Sequence, residues 1–459
     1  MESDFHPGFA GQIGFARVDI TPPVGIYARN WGAAKYDCAE SIHRPLNLTA
    51  MVLANPKTAE RLVFIEGDLS WWRNLETWKS FQARLLEATG LSAESLIFSL
   101  THSHASPPLM DTDTNLPGGE LLGPWLESIQ EGAIQLVKEA TSGCQASVLE
   151  WHRGSCQLAH NRNLVDPLAE SSRRIIGFNP KNTADSTLLV GRVTDSKGTV
   201  RGVLVNYACH PTTLAFDNRT ISPDFIGAMR ETVEKETGGL ALFLLGASGD
   251  LAPRYQYVGE PAVADQHGAQ LGHSVLATLT DMHPPQTQLT FTGVVESGAP
   301  LAIWKHQPRK VPDTIFAKTA PVPLPLKDWP TAGALEKEIS ACQDRVIRER
   351  LFRKLMIRRT LGDGRTYKMP VWLWLAGDAV WVGAMTEAYS VLQQQLRQRF
   401  PDLTVVCLNL INGSIGYLPS EEDYDQDIYQ VWQTPFDRGA LEKLIEAMAA
   451  EINRLSEPG

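Results

Sequence analysis

Short apolar runs alternate along the chain with longer segments whose apolar residues recur at helical spacing. The apolar runs are bounded by Gly, Pro, Asp or His, as buried strands commonly are. The longer segments are typical of helices with one buried face. Predicted strands cover residues 51–54, 62–68, 96–100, 148–153, 202–210, 240–246, 371–375, 379–383 and 404–410, and predicted helices cover residues 75–89, 124–140, 222–236, 332–359 and 387–399. The alternation predicts an α/β (mixed α+β) fold with β-sheets flanked by helices.

Two segments depart from this alternation. Residues 319–326 are rich in proline and predict an extended surface segment. Residues 332–359 are strongly charged, and we expect a solvated helix that flanks a pocket entrance. The sequence has no internal repeat and no convincing linker, and its candidate site residues span most of its length. We therefore expect a single catalytic domain over residues 1–459.

Histidines stand at the ends of two predicted strands. His102 and His104 follow the strand of residues 96–100, and residues two apart in an extended segment point to the same side. His210 follows another apolar strand and precedes Pro211. Neutral imidazole is a common zinc ligand, so the pattern indicates a metal site at strand ends. The alternative is a set of histidines satisfied by hydrogen bonds.

Arg162 and a glycine-rich loop are further candidates for binding an oxygen anion. A planar guanidinium holds two oxygens at once, although Arg162 in a structural salt bridge is an equal alternative. Residues 247–254 follow an apolar strand but lack the Gly-Lys-Ser/Thr ending of a nucleotide-binding loop. Backbone amides near Gly249 and Asp250 form a possible oxyanion site.

The charge and the cysteine content of the chain limit the classes of binding partner and the cellular compartment that we expect. The chain has a net charge of -10 and a pI of about 5.6, with dispersed basic residues, which argues against nucleic acid or an anionic membrane as the main partner. The first residues lack the basic and apolar regions of a secretory signal, and no apolar stretch is long enough for a transmembrane segment. Six scattered cysteines suit reduced thiols, so we expect a cytoplasmic protein. A Cys209–His210 catalytic pair is a minor alternative.

Several motifs, taken in order, resemble one known family, the neutral/alkaline non-lysosomal ceramidases and their bacterial relatives. The resemblance covers nearly the whole chain. It is carried by Arg17-Val-Asp-Ile-Thr-Pro-Pro, Thr101-His-Ser-His, Asn161-Arg, Asn206-Tyr-Ala-Cys-His-Pro, Gly249-Asp-Leu-Ala-Pro and Gly416-Tyr-Leu-Pro.

The resemblance implies a zinc-dependent amidohydrolase with its ligands spread over the chain. The implied zinc (Zn2+) ligands are His102, His210, Glu387 and Tyr417. The family usually has a glycine before this glutamate, where this chain has Thr386.

The resemblance also implies catalytic residues around the zinc. We expect metal-activated water to attack the carbonyl of a small-molecule or lipid-like amide, with His104 carrying a proton. Arg162, helped by the Gly249 and Asp250 amides, would stabilise the oxyanion. Asp68 and Asp224 are weaker candidates for orienting the metal-bound imidazoles.

The sequence is also compatible with three other functions. Ala252 replaces a serine that the family uses in ceramide hydrolysis, and we expect no immunoglobulin-like domain of the kind found in long ceramidases, because the chain ends soon after the Tyr417 region. Both observations favour a small soluble ester, lactone or cyclic amide as the substrate. A catalytically silent binding homologue is a second alternative. A serine hydrolase is a third alternative, although the Gly-x-Ser-x-Gly motif typical of such enzymes is missing. Candidate nucleophiles for that reading are Ser103, Ser106 and Ser248. The sequence does not indicate an oligomeric state.

Overall fold

A computed structural model describes residues 3–58, 60–169 and 173–456. Its strands are β1 (Ser3–Phe5), β2 (Gly8–Asp19), β3 (Ser41–Ile42), β4 (Asn47–Ala54), β5 (Arg61–Gly67), β6 (Leu96–Leu100), β7 (Gln145–Ser155), β8 (Ala159–Asn161), β9 (Asn163–Val165), β10 (Arg174–Ile176), β11 (Thr187–Asp195), β12 (Val200–Tyr207), β13 (Thr220–Ile221), β14 (Leu240–Leu245), β15 (Leu251–Pro253), β16 (Thr287–Glu296), β17 (Pro300–Pro308), β18 (Ile315–Pro325), β19 (Thr366–Ala376), β20 (Ala379–Ala384), β21 (Glu387–Ala388), β22 (Thr404–Leu408) and β23 (Tyr417–Leu418). Its α-helices are α1 (Leu75–Thr89), α2 (Leu122–Ser142), α3 (Phe225–Thr237), α4 (Pro261–Thr280), α5 (Ala332–Ala341), α6 (Arg345–Leu361), α7 (Val391–Arg399), α8 (Tyr429–Gln433) and α9 (Ala440–Ser456).

An eight-stranded mixed sheet forms the centre of the fold, with strand order β14-β12-β11-β7-β2-β4-β5-β6. The outer pairs β12–β14 and β5–β6 are parallel, and the strands between them pair antiparallel. The edge strands of these pairs, β6 and β14, consist almost wholly of buried apolar residues, as parallel strands covered on both faces do.

A four-stranded sheet, β18-β19-β20-β22, covers one face of the large sheet. The Trp381 ring of β20 lies 5.6 Å from the rings of both Phe64 and Trp151, which come from different strands of the large sheet. Helices α2, α3 and α4 pack on its opposite face, and α7 and α9 pack on the small sheet. The predicted α/β class, with sheets flanked by helices, is therefore confirmed.

The segment after β22 joins the two edges of the large sheet. The Asn409 amide donates to the Leu245 carbonyl at the β14 edge, at 2.9 Å. At the β6 edge, the Asn412 amide donates to the Phe98 carbonyl at 2.8 Å, and the Asn412 side-chain oxygen accepts from the Phe98 amide at 2.8 Å. This segment brings the carboxyl ends of β5, β6, β12 and β14 towards one another, although β6 and β14 are the most distant strands in the sheet order.

The proline-rich segment is an edge strand and not only an extended surface segment. It forms most of β18, which pairs with β19 along its whole length. Pro321, Pro323 and Pro325 alternate with the buried Val322 and Leu324. Alternate residues direct their backbone amides to opposite sides, so the prolines lie at positions whose missing N–H groups would point away from β19.

Two predicted helices have different bounds in the structure. The charged segment of residues 332–359 is two helices, α5 and α6, and the Asp344 side chain caps α6 by accepting from the Ile347 amide at 2.9 Å. The last predicted helix begins at Val391 and not at Glu387, because Glu387 lies in the short strand β21. None of the helices in the described ranges is both long and apolar enough to cross a membrane.

A histidine cluster joins the first strand to the rest of the protein. The ring of the buried His6 lies 4.7 Å from the rings of His152 and His283. His6 Nε2 accepts a hydrogen bond from the His283 backbone amide at 2.9 Å, so this nitrogen is unprotonated. Burial, then the neighbouring histidines and Arg192, lower the pKa of His6 from 6.5 to about 4. Asp4 opposes this shift.

Acid is therefore expected to destabilise the protein through His6. The unfolded chain binds a proton at this position below pH 6.5, whereas the folded chain does so only near pH 4. The free energy of unfolding should fall by about 2–3 kcal/mol as the pH drops through this window. Urea unfolding of His6→Gln should show a smaller pH dependence between these limits. The control His273→Gln, at an exposed position, should retain the parental pH dependence.

Candidate metal centre and active site

The chain holds His102 in an unusual backbone conformation directly after β6. Its φ is +70°, a left-handed value that costs a non-glycine residue roughly 1–2 kcal/mol. Two backbone hydrogen bonds of 2.9 Å hold this turn, from Thr101 to the Gly67 carbonyl and from His102 to the Leu69 carbonyl. His102 Nδ1 lies 3.0 Å from the Ser70 carbonyl oxygen, which makes Nδ1 the protonated nitrogen and leaves Nε2 free to accept.

His210 is positioned in the same way after β12. Its backbone amide donates to the Leu251 carbonyl at 3.0 Å, and its Nδ1 lies 2.7 Å from the Ser248 carbonyl oxygen. Its Nε2 therefore carries the lone pair and faces His102, whose ring centre is 4.9 Å away. Two histidines from opposite ends of the sheet order thus direct unprotonated nitrogens at one point.

Glu387 and Tyr417 reach the same point from a small parallel ladder. Strand β21 pairs with β23 so that Glu387 lies directly opposite Tyr417. Glu387 Oε2 is 3.0 Å from His210 Nε2 and 3.4 Å from His102 Nε2. The Tyr417 ring lies parallel to the His210 ring at 6.3 Å. The four residues implied as zinc ligands therefore converge.

His104 completes a group of three imidazoles. Its Nε2 is 3.3 Å from His102 Nε2, and potential ligand atoms of His102, His104 and His210 all lie within 4.8 Å of one another. His104 Nδ1 is buried without a hydrogen-bond partner. The Trp31 and Trp71 rings pack around His104 at 5.0 and 5.1 Å. Its unpaired nitrogen leaves His104 with an atom available for a substrate or a proton.

Arg162 is anchored by a carbonyl. Its Nε and Nη2 donate to the Gly249 carbonyl at 3.1 and 2.7 Å. The same Nη2 lies 3.3 Å from both Tyr417 Oη and His210 Nε2. Among the residues that the structure describes, no carboxylate forms an ion pair with Arg162, so the salt-bridge alternative fails and its charge is available to the site.

Asp250 and Gly249 contribute differently from the expected oxyanion amides. The Gly249 amide donates to the Ala388 carbonyl at 2.9 Å and is not available to a substrate. The Asp250 carboxylate accepts from the Ser390 amide at 2.7 Å and from the Ser390 hydroxyl at 2.9 Å. Asp250 thus hydrogen-bonds the segment that contains Glu387 and Ser390 to the loop whose Gly249 carbonyl binds Arg162.

The carboxylates expected to orient the imidazoles lie elsewhere. Asp68 binds Arg230 through both oxygens, at 2.7 and 2.8 Å, and Asp224 caps α3 by accepting from the Phe225 amide at 2.7 Å. The Ser70 and Ser248 carbonyls orient the rings in their place. Backbone acceptors have no sequence signature, so the sequence could not indicate them.

The charge states of these groups suit a divalent cation. Burial and the nearby Arg162 lower the pKa of His210 to about 3, and burial and the other histidines lower the pKa of His104 well below 6.5. Burial alone would raise the pKa of Glu387, but His102 and His210 reverse the effect and hold it well below 4.5. Unprotonated imidazoles beside an ionised carboxylate and a tyrosine form a nitrogen and oxygen ligand set of the kind that zinc prefers. The residues present therefore fit the implied ion.

The alternative nucleophiles have other partners. Ser103 Oγ donates to the Ser222 carbonyl at 2.6 Å, and Ser106 Oγ contacts the Pro107 carbonyl at 3.5 Å. Ser248 Oγ is buried with no partner and has no histidine to activate it. Cys209 Sγ contacts the His210 carbonyl and not its ring, and burial raises the pKa of this thiol well above 9. These contacts do not support a serine or cysteine nucleophile.

Two adjoining cavities open onto this group. A cavity of about 70 Å³ is lined by His102, His104, Glu387 and Tyr417 among others. A larger cavity of about 690 Å³ shares His104 and Tyr417 with it and also reaches Arg162. Helix α6 lines both cavities, as expected for the charged segment. The site is therefore open to a molecule larger than water.

A family model confirms the resemblance carried by the motifs. The model described as neutral/alkaline non-lysosomal ceramidase, N-terminal, matches residues 12–253, more than half of the chain. The chain belongs to this family. Membership makes it a ceramidase-like hydrolase.

Solved ceramidases share the fold. Neutral ceramidase from Pseudomonas aeruginosa has a TM-score of 0.69 and 16% identity, over 98% of this chain and 75% of that one. A ceramidase described as complexed with C2 also has a TM-score of 0.69, at 15% identity, over 97% of this chain and 76% of its own. At this identity the similarity establishes the fold. A search of curated proteins gave no significant match to this ceramidase-family chain.

Two departures from the family pattern have a structural context. Thr386 replaces the usual glycine, but its φ is not in the left-handed region, so a side chain is tolerated there. Ala252 replaces the family serine and is buried in β15 opposite His160, where it lines neither cavity. The position of Ala252 therefore weakens the argument, made from the sequence, that this alanine favours a small soluble substrate.

Proposed function

We propose that this protein is a zinc-dependent amidohydrolase that cleaves an N-acyl amide with an activated water. The observation that carries the proposal is the convergence of His102, His210, Glu387 and Tyr417 on one point at the edge of a cavity. These four residues would hold the ion. When bound, zinc supplies a water of lowered pKa and a Lewis acid for the substrate carbonyl.

His104 has the geometry of a proton carrier. Its Nε2 faces the ligand histidines, and its Nδ1 is buried without a partner. Because burial favours the neutral ring, His104 can accept a proton from the attacking water and donate it to the leaving amine. The Trp31 and Trp71 rings pack against the imidazole and hold it in place.

Arg162 is positioned to stabilise developing negative charge. Two of its N–H groups are fixed by the Gly249 carbonyl, so the guanidinium needs no reorganisation during the reaction. Its Nη2 also points towards Tyr417 and His210, on the side where the reacting carbonyl would lie.

The function is tested by incubating the purified protein with N-acyl amides of graded chain length, with ceramide and with a small ester. We expect release of the free acid from at least one amide, its loss with a chelator and its return with added zinc. Hydrolysis of the ester alone would contradict amide cleavage. Full amide hydrolysis after exhaustive metal removal would contradict the zinc mechanism.

Arg162→Met is expected to lower kcat by about 10²–10³-fold, the usual effect of removing one oxyanion donor. Zinc content should stay at the parental level, because the proposed ligands remain. The matched control is Arg399→Met, which removes an exposed arginine that pairs with Glu446 and should leave kcat unchanged. A parental kcat in Arg162→Met would remove this residue from the mechanism.

A further inference from the structure

The larger cavity is positively charged in a protein that is negatively charged overall. Seven arginines line it, against only two carboxylates, Asp113 and Glu349, whereas the chain as a whole has a net charge of -10. Glu349 is already engaged by Arg345 at 3.1 Å and by Arg29 at 3.4 Å. Arg345 also pairs with Asp37, which lies outside the cavity lining, so Arg29 and Arg345 are compensated, whereas the other five arginines form no ion pair among the described residues.

Two of these arginines lie where the cavities meet. Arg73 and Arg353 line the large cavity and also the small cavity that contains His102 and Glu387. The centres of their guanidinium groups are 4.8 and 5.6 Å from the centre of the Trp71 ring. The same ring lies 5.5 Å from the His102 ring, so only one tryptophan separates the arginines from a proposed zinc ligand.

Neither arginine has an acidic partner. Within residues 3–58, 60–169 and 173–456, no carboxylate forms an ion pair with Arg73 or Arg353. Arg73 Nη2 donates to Asn30 Oδ1 at 2.9 Å, and the buried Nε atoms of both arginines have no hydrogen-bond partner. Burial, then the charge of Arg353, lower the pKa of Arg73 to about 9. Two adjacent cations with unused donors are costly in the free protein, and a bound anion would relieve that cost.

We infer that Arg73 and Arg353 bind an anionic group of the substrate, within a few bonds of the scissile carbonyl. The preferred substrate is then an N-acyl amide that carries a carboxylate or a phosphate, and not an uncharged lipid amide. The planar donor groups of two arginines match the oxygen pairs of either anion. The inference rests on the proposed function for its kinetics, but binding can test it separately.

The kinetic test compares amides that share an octanoyl or octyl chain. N-octanoylethanolamine is neutral, N-octanoylglycine and N-octanoyl-phosphoethanolamine carry the anion on the amine side, and N-octylsuccinamic acid carries it on the acyl side. We expect the zinc-loaded protein to prefer at least one anionic amide over the neutral one by about 10–100-fold in kcat/KM. The preferred compound identifies the anion and its side. Equal or better cleavage of the neutral amide would overturn the inference.

Variants assign any preference to the arginine pair. Arg73→Gln combined with Arg353→Gln should remove most of the anionic preference and leave kcat/KM for the neutral amide within about threefold. The control Arg359→Gln replaces a single arginine by the same amide on the exposed face of α6, where the residue pairs with Glu336, and should retain the preference. Equal losses for anionic and neutral amides in the double variant would overturn the inference.

A binding measurement separates this inference from the proposed function. Titration calorimetry of zinc-free protein with the same four amides needs no turnover. Tighter binding of an anionic amide, lost in the double variant, would support the arginine pair even if no amide were hydrolysed. Indistinguishable affinities for all four compounds would overturn it even if hydrolysis were observed.

Discussion

Replacing His210 by alanine is expected to reduce amide hydrolysis by at least about a thousandfold, because a proposed metal ligand is lost. The loss should be specific to the site, since His210 Nε2 contacts Glu387 and its Nδ1 is held by the Ser248 carbonyl. The measurement is kcat/KM for the best amide found, at matched zinc concentration.

The matched control for His210→Ala is His160→Ala. His160 is partly buried, whereas His210 is fully buried, and it packs against Phe178, at 5.1 Å between ring centres, outside the imidazole group. It should retain activity within a few fold. If His210→Ala retained more than about a tenth of parental kcat/KM, the metal centre would not be the source of catalysis.

The largest expected loss of stability follows from replacing Arg230 by methionine. Arg230 is buried on α3 and binds the equally buried Glu66 and Asp68 at the end of β5. Removing the cation leaves two carboxylates uncompensated, so we expect the free energy of unfolding to fall by about 3–5 kcal/mol. Burial already raises the pKa of Glu66 to about 7 in the presence of Arg230.

Urea unfolding at pH 8 tests this expectation. Lys235→Met makes the same change of charge at an exposed position of α3 and should alter stability by less than about 0.5 kcal/mol. Adding Glu66→Gln and Asp68→Asn to Arg230→Met should recover part of the lost free energy of unfolding, because none of the three positions then carries a buried charge. A loss below about 1 kcal/mol for Arg230→Met would show that the triad contributes little to stability.

Hydrophobic periodicity along the sequence correctly predicted those strands and helices whose formation depends mainly on neighbouring residues. Strand β6 and helix α1 have the predicted bounds, because a short apolar run and a helical repeat both carry their own signal. The break between α5 and α6 was missed, since charged helical residues continue on either side of Asp344. The β18 strand was missed because its alternation of proline and apolar residues becomes favourable only beside β19.

The site depended more on tertiary contacts. Strand-end positions of His102 and His210 were visible in the sequence, but their approach requires the Asn409–Asn412 crossing between the two sheet edges. The pairing of Glu387 with Tyr417 is a matter of register between two-residue strands, which no periodicity encodes. Arg73 and Arg353 belong to no motif, because what distinguishes them is tertiary: neither forms an ion pair with a carboxylate of the described residues.

The metal centre is tested most directly by the zinc content of the protein purified without chelator, measured by elemental analysis beside His102→Ala. We expect about one zinc per parent chain, since one group of potential ligands converges in the part of the chain that the structure describes, and little zinc in the variant. Circular dichroism of both proteins would show that the fold persists. No zinc in the parent, and no uptake when zinc is supplied, would contradict the account.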